Sequence, residues 1–303
     1  MFDSNLSVWA VVVSYNPVYT ILEDLIAVLL PQVSGLILVD NGSANDVSAI
    51  SRSDKVIFIQ LKYNLGIASA QNLGIQRAVK LGASHIYFSD QDSIPNKDTV
   101  DLLTGFLSSG SFDRVAAVGP AIIDSRSGIG SAFIGSAGGW PKRIKWDVYS
   151  TCPSRPLEVS FLISSGMLVP VSVLTDLGYM RDEYFIDHVD TEWCFRARQK
   201  GYRLFALPSA VLNHSIGDRV RVLRFFGTRQ IMCHSSLRDY YMFRNTIFLL
   251  SDISMSFRWR AFFALRLIRY QIYFLLFEDG RMSRFKAMFL GLYHGVIRRS
   301  GKL

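Results

Sequence analysis

A chain of 303 residues is long enough for one large domain with an appendage, or for two modest domains. Half of it is hydrophobic and 19% is charged, which excludes a mainly disordered chain and predicts a sizeable core. The net charge of +8 conceals an asymmetry: residues 219–303 hold 16 Lys and Arg against 4 Asp and Glu, a net of +12, so the rest is mildly acidic. The expected organisation is therefore a catalytic or binding body over residues 1–218 and a basic, aromatic-rich helical region over 219–303.

The elements in chain order follow from hydropathy. Residues 8–14 form a continuous apolar run that ends at Ser14-Tyr15-Asn16-Pro17, a turn signal. Residues 18–30 fit a helix. Apolar runs recur at 36–39 and 56–60, a helical spacing covers 66–81, and a fourth run covers 85–89. Continuous rather than alternating strands, separated by helices, predict an α/β fold with a Rossmann-like, mostly parallel sheet covered on both faces. Residues 110–165 are glycine-rich and read as strands and mobile loops. A further helix is expected at 190–200, closed by Gly201, and residues 219–300 are expected to be mostly helical.

In a sheet of that kind ligands bind beyond the carboxyl ends of the strands. Three polar groups stand there: Tyr15 and Asn16, then Asp40 and Asn41, then Asp90 and Asp92. Two carboxylates two residues apart in extended chain project to one side and can share a hard divalent cation. The plain alternative is strand-to-helix turn chemistry, which Asp40, Ser43, Asn64, Gly66 and Asn72 also fit. No GxGxxG occurs, so a dinucleotide fingerprint is absent. Residues 187–192 pack Asp187, Asp190 and Glu192 with His188 just before a helix, a good place for a general base, though such carboxylates also open helices. Arg196 and Arg198 lie on that helix, where a solvated face is the simple reading. His214 can be a metal ligand or a satisfied core histidine.

The three cysteines, Cys152, Cys194 and Cys233, form no CxxC pair, which argues against a disulfide scaffold or a cysteine zinc site and for a reducing compartment. The first residues lack the basic start and small-residue cleavage site of a signal peptide. No apolar run is long enough to span a membrane. A basic tail rich in Phe, Tyr, Leu and Ile without a span suggests a protein that lies on a membrane. Nucleic acid fits the charge but not the bulky aliphatics.

Seven segments taken in order resemble a family: residues 11–17 (VVVSYNP), 38–43 (LVDNGS), 64–72 (NLGIASAQN), 88–93 (FSDQDS), 164–169 (SSGMLV), 185–196 (FIDHVDTEWCFR) and 208–214 (PSAVLNH). They are similar to the family 2 glycosyltransferases of the GT-A fold, and among those to the bacterial rhamnosyltransferases of surface polysaccharide synthesis. The resemblance covers residues 8–214. It implies that Ser14, Tyr15, Asn16, Asp40 and Asn41 line a nucleotide pocket and that Asn64, Gly66, Asn72 and Asp90 border the nucleotide-sugar. It implies that Asp90 and Asp92 match a DxD motif holding Mg²⁺ or Mn²⁺, with His214 completing the metal site. Asp187, in preference to Asp190, would deprotonate the acceptor hydroxyl, and Trp193 and Arg196 would meet the acceptor or a phosphate. His188 stands where many relatives carry a second acidic residue. The function implied is inverting transfer of L-rhamnose from dTDP-L-rhamnose to a saccharide on a polyprenyl diphosphate, at the cytoplasmic face of a bacterial inner membrane. The alternatives are a glycosyltransferase of the same fold using another nucleotide-sugar, a sugar nucleotidyltransferase, which should carry a Gly-rich basic loop after the first strand, and a non-catalytic membrane-surface scaffold.

Overall fold

The computed structural model describes residues 6–50, 53–146, 155–214, 219–223, 229–233, 235–278 and 280–303, the segments 219–223 and 229–233 by backbone alone. Among them the chain runs β1 (Val8–Ser14), α1 (Tyr19–Leu29), β2 (Gly35–Asp40), β3 (Val56–Gln60), α2 (Ile67–Lys80), β4 (His85–Asp90), β5 (Ser93–Pro95) and α3 (Thr99–Ser108). It continues through β6 (Val115–Asp124), β7 (Phe133–Ala137), β8 (Trp140–Ile144), β9 (Leu157–Val159), β10 (Leu168–Pro170), α4 (Val171–Leu177), α5 (Val189–Gln199) and β11 (Arg203–His214). Strands β12 (Arg219–Leu223) and β13 (Arg229–Cys233) and helices α6 (Ser236–Asp252), α7 (Phe257–Phe277) and α8 (Arg281–Val296) complete it.

The central sheet has the order β3-β2-β1-β4-β10-β6-β11-β5, with β9 also on β11. Strands β1 to β4 are mutually parallel where they pair. Successive residues of β1 serve opposite faces: Val11 and Val13 belong to one core and Ala10 and Val12 to the other. That is the physical reason its apolar run is continuous rather than alternating. The first four strands and the helices between them stand where the hydropathy places them. Beyond β4 the sheet is mixed: β10 runs antiparallel to β4 and β6, and β11 is parallel to β6 but antiparallel to β5 and β9.

The long strand β11 shifts register between Leu207 and Val211. Pro208 in that stretch has no N–H to give a ladder, which favours a bulge. The bulge lets β11 carry on past β6 and pair His214 with Ser93 of β5. This pairing sets the histidine beside the residues that follow β4.

The expected boundary between residues 218 and 219 lies outside the described residues on its body side. Residues 219–223 and 229–233 pair as an antiparallel hairpin, not the helix expected there. The period-two alternation of Arg219-Val220-Arg221-Val222 is a strand pattern, and it prevails over the helical character of residues 236–296. Helices α6 to α8 are as expected, but they share a core with the body. Phe248, Leu249, Ile253, Trp259 and Phe263 join the same buried cluster as Trp193, Cys194 and Phe195. Phe195 meets Trp259 edge-on, ring centroids 4.9 Å apart. Cys194 is a free, buried thiol; the Cys152 side chain and that of Cys233 lie outside the described residues. Among the described residues no helix is long and apolar enough to cross a membrane.

Candidate active site

The carboxyl ends of β1, β2 and β4 are stitched together by short loops. Ser14 Oγ donates to Asp40 Oδ1 (3.2 Å), and the Ser43 amide donates to Asp40 Oδ2 (3.1 Å). Asp40 itself is fully buried. Asn16 has φ of 47°, a left-handed conformation that Asn tolerates better than most residues. Its amide donates to Ser43 Oγ (2.8 Å), and Ala44 N donates to its Oδ1 (2.8 Å). Tyr15 is exposed, and its backbone is gripped on both sides by Gln91: Tyr15 N donates to Oε1 (2.7 Å) and Nε2 donates to Tyr15 O (3.3 Å). Gln91, the residue between the two aspartates, thus holds the first strand's loop to the fourth's. Side-chain identity alone gave no reason to single it out.

Asn41 and Asn64 form a second stitch. Asn41 Nδ2 donates to Asn64 Oδ1 (3.1 Å), and Asn41 Oδ1 accepts from Leu65 N (2.9 Å). Gly66 follows at φ +89°, where a Cβ would lie 2.6 Å from the Phe185 carbonyl oxygen. The close approach expected of Gly66 is therefore to the chain's own backbone. It lets Ile67 N donate to Phe185 O (2.7 Å), docking the start of α2 on the loop before α5. Asn72 serves the same junction: its Nδ2 donates to Met180 O and to Asp182 Oδ1, both at 2.8 Å.

Asp90 and Asp92 stand at the end of β4. Ser165 Oγ makes a short hydrogen bond to Asp90 Oδ2. His214 Nδ1 lies 2.8 Å from Ser93 Oγ and 3.4 Å from Asp92 Oδ1. Burial by itself would lower the His214 pKa, but the hydrogen bond to Asp92 and the charges of Asp90 and Asp92 outweigh it, so the net direction is up. Asp92 and His214 do meet, as expected. The expected three-ligand cage of Asp90, Asp92 and His214 does not form: among the described residues no three His, Cys, Asp or Glu side chains are grouped so as to hold a metal ion. Asp90 is turned to Ser165 instead.

The loop before α5 carries the remaining carboxylates. Phe185, Asp187 and His188 all have φ between 62° and 64°, unusual for residues with a Cβ. Such a run persists only where its surroundings over-determine it. Helix α6 supplies that. Buried Asn245 donates from Nδ2 to the carbonyls of Tyr184 (2.7 Å), Ile186 (2.6 Å) and Asp187 (3.0 Å). Buried Arg244 donates to the carbonyls of Tyr184 and Glu183. These two tail residues were not singled out from sequence; two polar residues side by side within an aromatic helix are the signal that could have found them.

Asp187 is paired with Arg238 of α6, Nη2 to Oδ1 at 2.6 Å. Asp190 accepts from Thr191 N (2.6 Å) and from Ser164 N (3.1 Å). Burial pushes its carboxyl up to about 6, against those hydrogen bonds and with help from the charge of Asp90. His188 is buried, and its Nε2 lies 3.0 Å from Thr246 Oγ1. That hydroxyl donates to Met242 O, so it accepts from the imidazole, which therefore carries its proton on Nε2. Burial and the charge of Arg266 push His188 down to about 3, so it is neutral.

Trp193 and Arg196, expected at the acceptor, face elsewhere. Trp193 is fully buried and donates from Nε1 to Gly178 O (3.1 Å). Arg196 pairs with buried Glu192 (2.9 Å) and donates to the carbonyls of Leu177, Gly178 and Tyr179. Arg196 is therefore not on the solvated face that is its simple reading: it and Trp193 pin the α4–α5 connection.

Residues 9–151 match the model of the glycosyl transferase family 2. The chain is 33% identical to the dTDP-rhamnosyl transferase RfbF of Shigella flexneri over 247 residues, 81% of this chain and 80% of that one. Its fold is similar to that of S. aureus TarS 1-349 in complex with UDP-GlcNAc, with a TM-score of 0.56 at 14% identity over 96% of this chain and 81% of that one. It is similar also to GalNAc-T7 with UDP, GalNAc and Mn²⁺, with a TM-score of 0.60 at 14% identity over 89% of this chain and 58% of that one.

Proposed function

The chain belongs to glycosyl transferase family 2 and is a glycosyltransferase of the GT-A fold; on that premise we propose that it transfers L-rhamnose from dTDP-L-rhamnose to a saccharide acceptor, with inversion at the anomeric carbon. The rhamnosyl donor is supported by the likeness to RfbF. A nucleotide-sugar donor in general is also supported by the ligands of TarS and GalNAc-T7. The observation that carries the chemical reading is the pairing of Asp92 with His214 beyond the end of β4, with Asp90 near enough that its charge raises both His214 and Asp190.

In this reading the loops after β1 and β2 receive the nucleoside. Ser14, Asn16, Asp40 and Asn41 shape that pocket, and exposed Tyr15 offers a ring face to the base. Asp92 and His214 would hold Mg²⁺ or Mn²⁺, which when bound offsets the charge of the leaving nucleoside diphosphate. The donor set fits: one carboxylate and one imidazole suit these cations, which keep waters and substrate phosphates in their other positions rather than a full protein cage. Asp190 is the general base. With a carboxyl pushed up to about 6 it is ionised at neutral pH yet basic enough to accept a hydroxyl proton. The acceptor oxygen loses its proton to Asp190 and attacks the anomeric carbon. The glycosidic bond forms as the bond to the diphosphate oxygen breaks, and the leaving group takes the electron pair. Asp187, paired with Arg238, sets the acceptor side of the same loop. Asn64, Gly66 and Asn72 act through the loop they hold.

The acceptor proposed is a saccharide on a polyprenyl diphosphate, met at the cytoplasmic face of a bacterial plasma membrane. The basic tail supports that place. The test is release of dTDP from dTDP-L-rhamnose with Mn²⁺ and acceptor. It should proceed with the wild-type chain and stop in Asp190→Asn. Retained turnover in Asp190→Asn together with loss in Asp187→Asn would move the base to Asp187.

A further inference from the structure

Helices α7 and α8 bury one face each against α6 and against one another, through Phe243, Leu267, Phe274 and Met288. Their outer faces are apolar and bare. On α7 the exposed residues Leu265, Ile268, Ile272 and Leu276 recur at helical spacing on one side. On α8 Met282, Phe285, Phe289, Tyr293 and Val296 do the same. Exposure runs from 42% at Phe285 to 72% at Val296. Single exposed apolar residues need no explanation, but two continuous stripes on adjacent helices do.

Each stripe carries a cation at its edge in the same place. Arg269 follows Leu265 by four residues, and Lys286 follows Met282 by four; both are exposed. Residues 257–303 hold ten Lys and Arg against two acidic residues, a net of +8. Apolar side chains interleaved with long cations, on helices too short in apolar run to cross, is the chemistry of a surface lying in the interface of an anionic bilayer.

The face is tied to the candidate active site. Arg284, between Met282 and Phe285 on α8, donates from Nη1 to Asp239 Oδ2 (2.5 Å). The neighbour of Asp239, Arg238, is the partner of Asp187. The first turn of the α8 stripe is therefore two ion pairs away from the catalytic loop.

We propose that the α7–α8 face docks on an anionic lipid bilayer and that this docking sets the Asp187–Asp190 loop at the membrane surface, so that the acceptor is one carried by a lipid. This deepens the membrane placement of the proposed function and rests on it for the acceptor alone. The test uses the full chain with vesicles of phosphatidylglycerol and phosphatidylethanolamine, and with phosphatidylcholine vesicles as the neutral control. The chain should sediment with the anionic vesicles, weakly or not at all with the neutral ones, and be partly released by high salt. The triple variant Ile272→Ser, Phe285→Ser, Phe289→Ser alters only exposed side chains and should keep its thermal transition. It should lose about tenfold or more in binding to anionic vesicles, while release of dTDP with a soluble acceptor is unchanged. A full chain that stays in solution with anionic vesicles overturns the proposal. So does a triple variant that binds them as well as wild type. So does a dimer in solution that the triple variant dissociates, which would assign the face to a second copy. Failure of the sugar-transfer reading would look different: vesicle binding intact with no donor turned over.

Discussion

Replacing Asn245 by Ala removes an amide that nothing else can substitute for. The side chain is fully buried, and its Nδ2 serves three carbonyls, those of Tyr184, Ile186 and Asp187, at 2.6–3.0 Å. Its Oδ1 also accepts from Arg244 Nε (2.9 Å), so a buried guanidinium loses a partner too. A buried polar group left unpaired costs about 1–3 kcal/mol, and with partial relaxation the total is roughly 3–5 kcal/mol. For a chain of this size that lowers Tm by about 5–10 °C. The carbonyls it holds belong to the left-handed run containing Phe185, Asp187 and His188, so the loop relaxes once released. A displacement of the carboxylates proposed as catalytic by an ångström costs about 10²-fold in turnover. The proposed donor pocket stands on other strands, so binding of dTDP should hold. The assays are a thermal melt, dTDP binding by calorimetry, and steady-state turnover below the variant's melting range. A variant with wild-type Tm and wild-type kcat would refute the reasoning, as would one that loses turnover and dTDP affinity together while folded.

Three further outcomes are expected. Turnover should rise with pH through about 6 as Asp190 ionises, since a raised carboxyl is protonated below that value, and the limb should vanish in Asp190→Asn as turnover falls by about 10²–10⁴-fold. The same shift acts on stability with the opposite sign: the contribution of Asp190 is present below its ordinary 3.8 and lost as pH rises through 6, which a melt series of wild type against Asp190→Asn reads directly. Asp92→Ala should abolish the Mn²⁺ dependence of dTDP binding without lowering Tm, and a variant whose binding still responds to Mn²⁺ would remove Asp92 from the metal. Gly66→Ala places a Cβ 2.6 Å from the Phe185 carbonyl at φ +89° and should destabilise the fold by about 2–5 kcal/mol, read by chemical denaturation.

The parallel half of the sheet was legible because each of its strands is apolar on both faces and each ends in a polar turn. Residues such as Val11 and Val12 cannot be explained by a sheet with one wet face. The positions of Asp40, Asp90 and Asp92 followed from that. The elements after β4 depend on contacts that leave little local trace. The three-residue strand β5 has no period to detect, yet its pairing with β11 is what brings His214 to Asp92. Trp193 and Arg196 look like site residues because they sit in the motif that carries the carboxylates. Their polar atoms are instead spent on the chain itself, where both hold the carbonyl of Gly178. The tail was readable as basic and amphipathic but not as a buttress. That Asn245 and Arg244 hold the loop of Asp187 is a contact across some sixty residues of chain. Trp259 and Phe263 complete the body's core, so removing residues 250–303 would unfold more than a tail. The pairing of β12 with β13 rests on a short period-two stretch, Arg-Val-Arg-Val, next to a much longer run of helical, aromatic-rich sequence.

The central claim is a donor and a reaction, and one measurement addresses both. The full chain with Mn²⁺ and a saccharide acceptor is offered dTDP-L-rhamnose, UDP-GlcNAc and other nucleotide-sugars in parallel, and release of nucleoside diphosphate is followed while the anomeric configuration of the product is read by NMR. The account predicts release from dTDP-L-rhamnose above all others, with inverted configuration. Release from a different nucleotide-sugar with dTDP-L-rhamnose untouched, or a product that retains the donor's configuration, would contradict it.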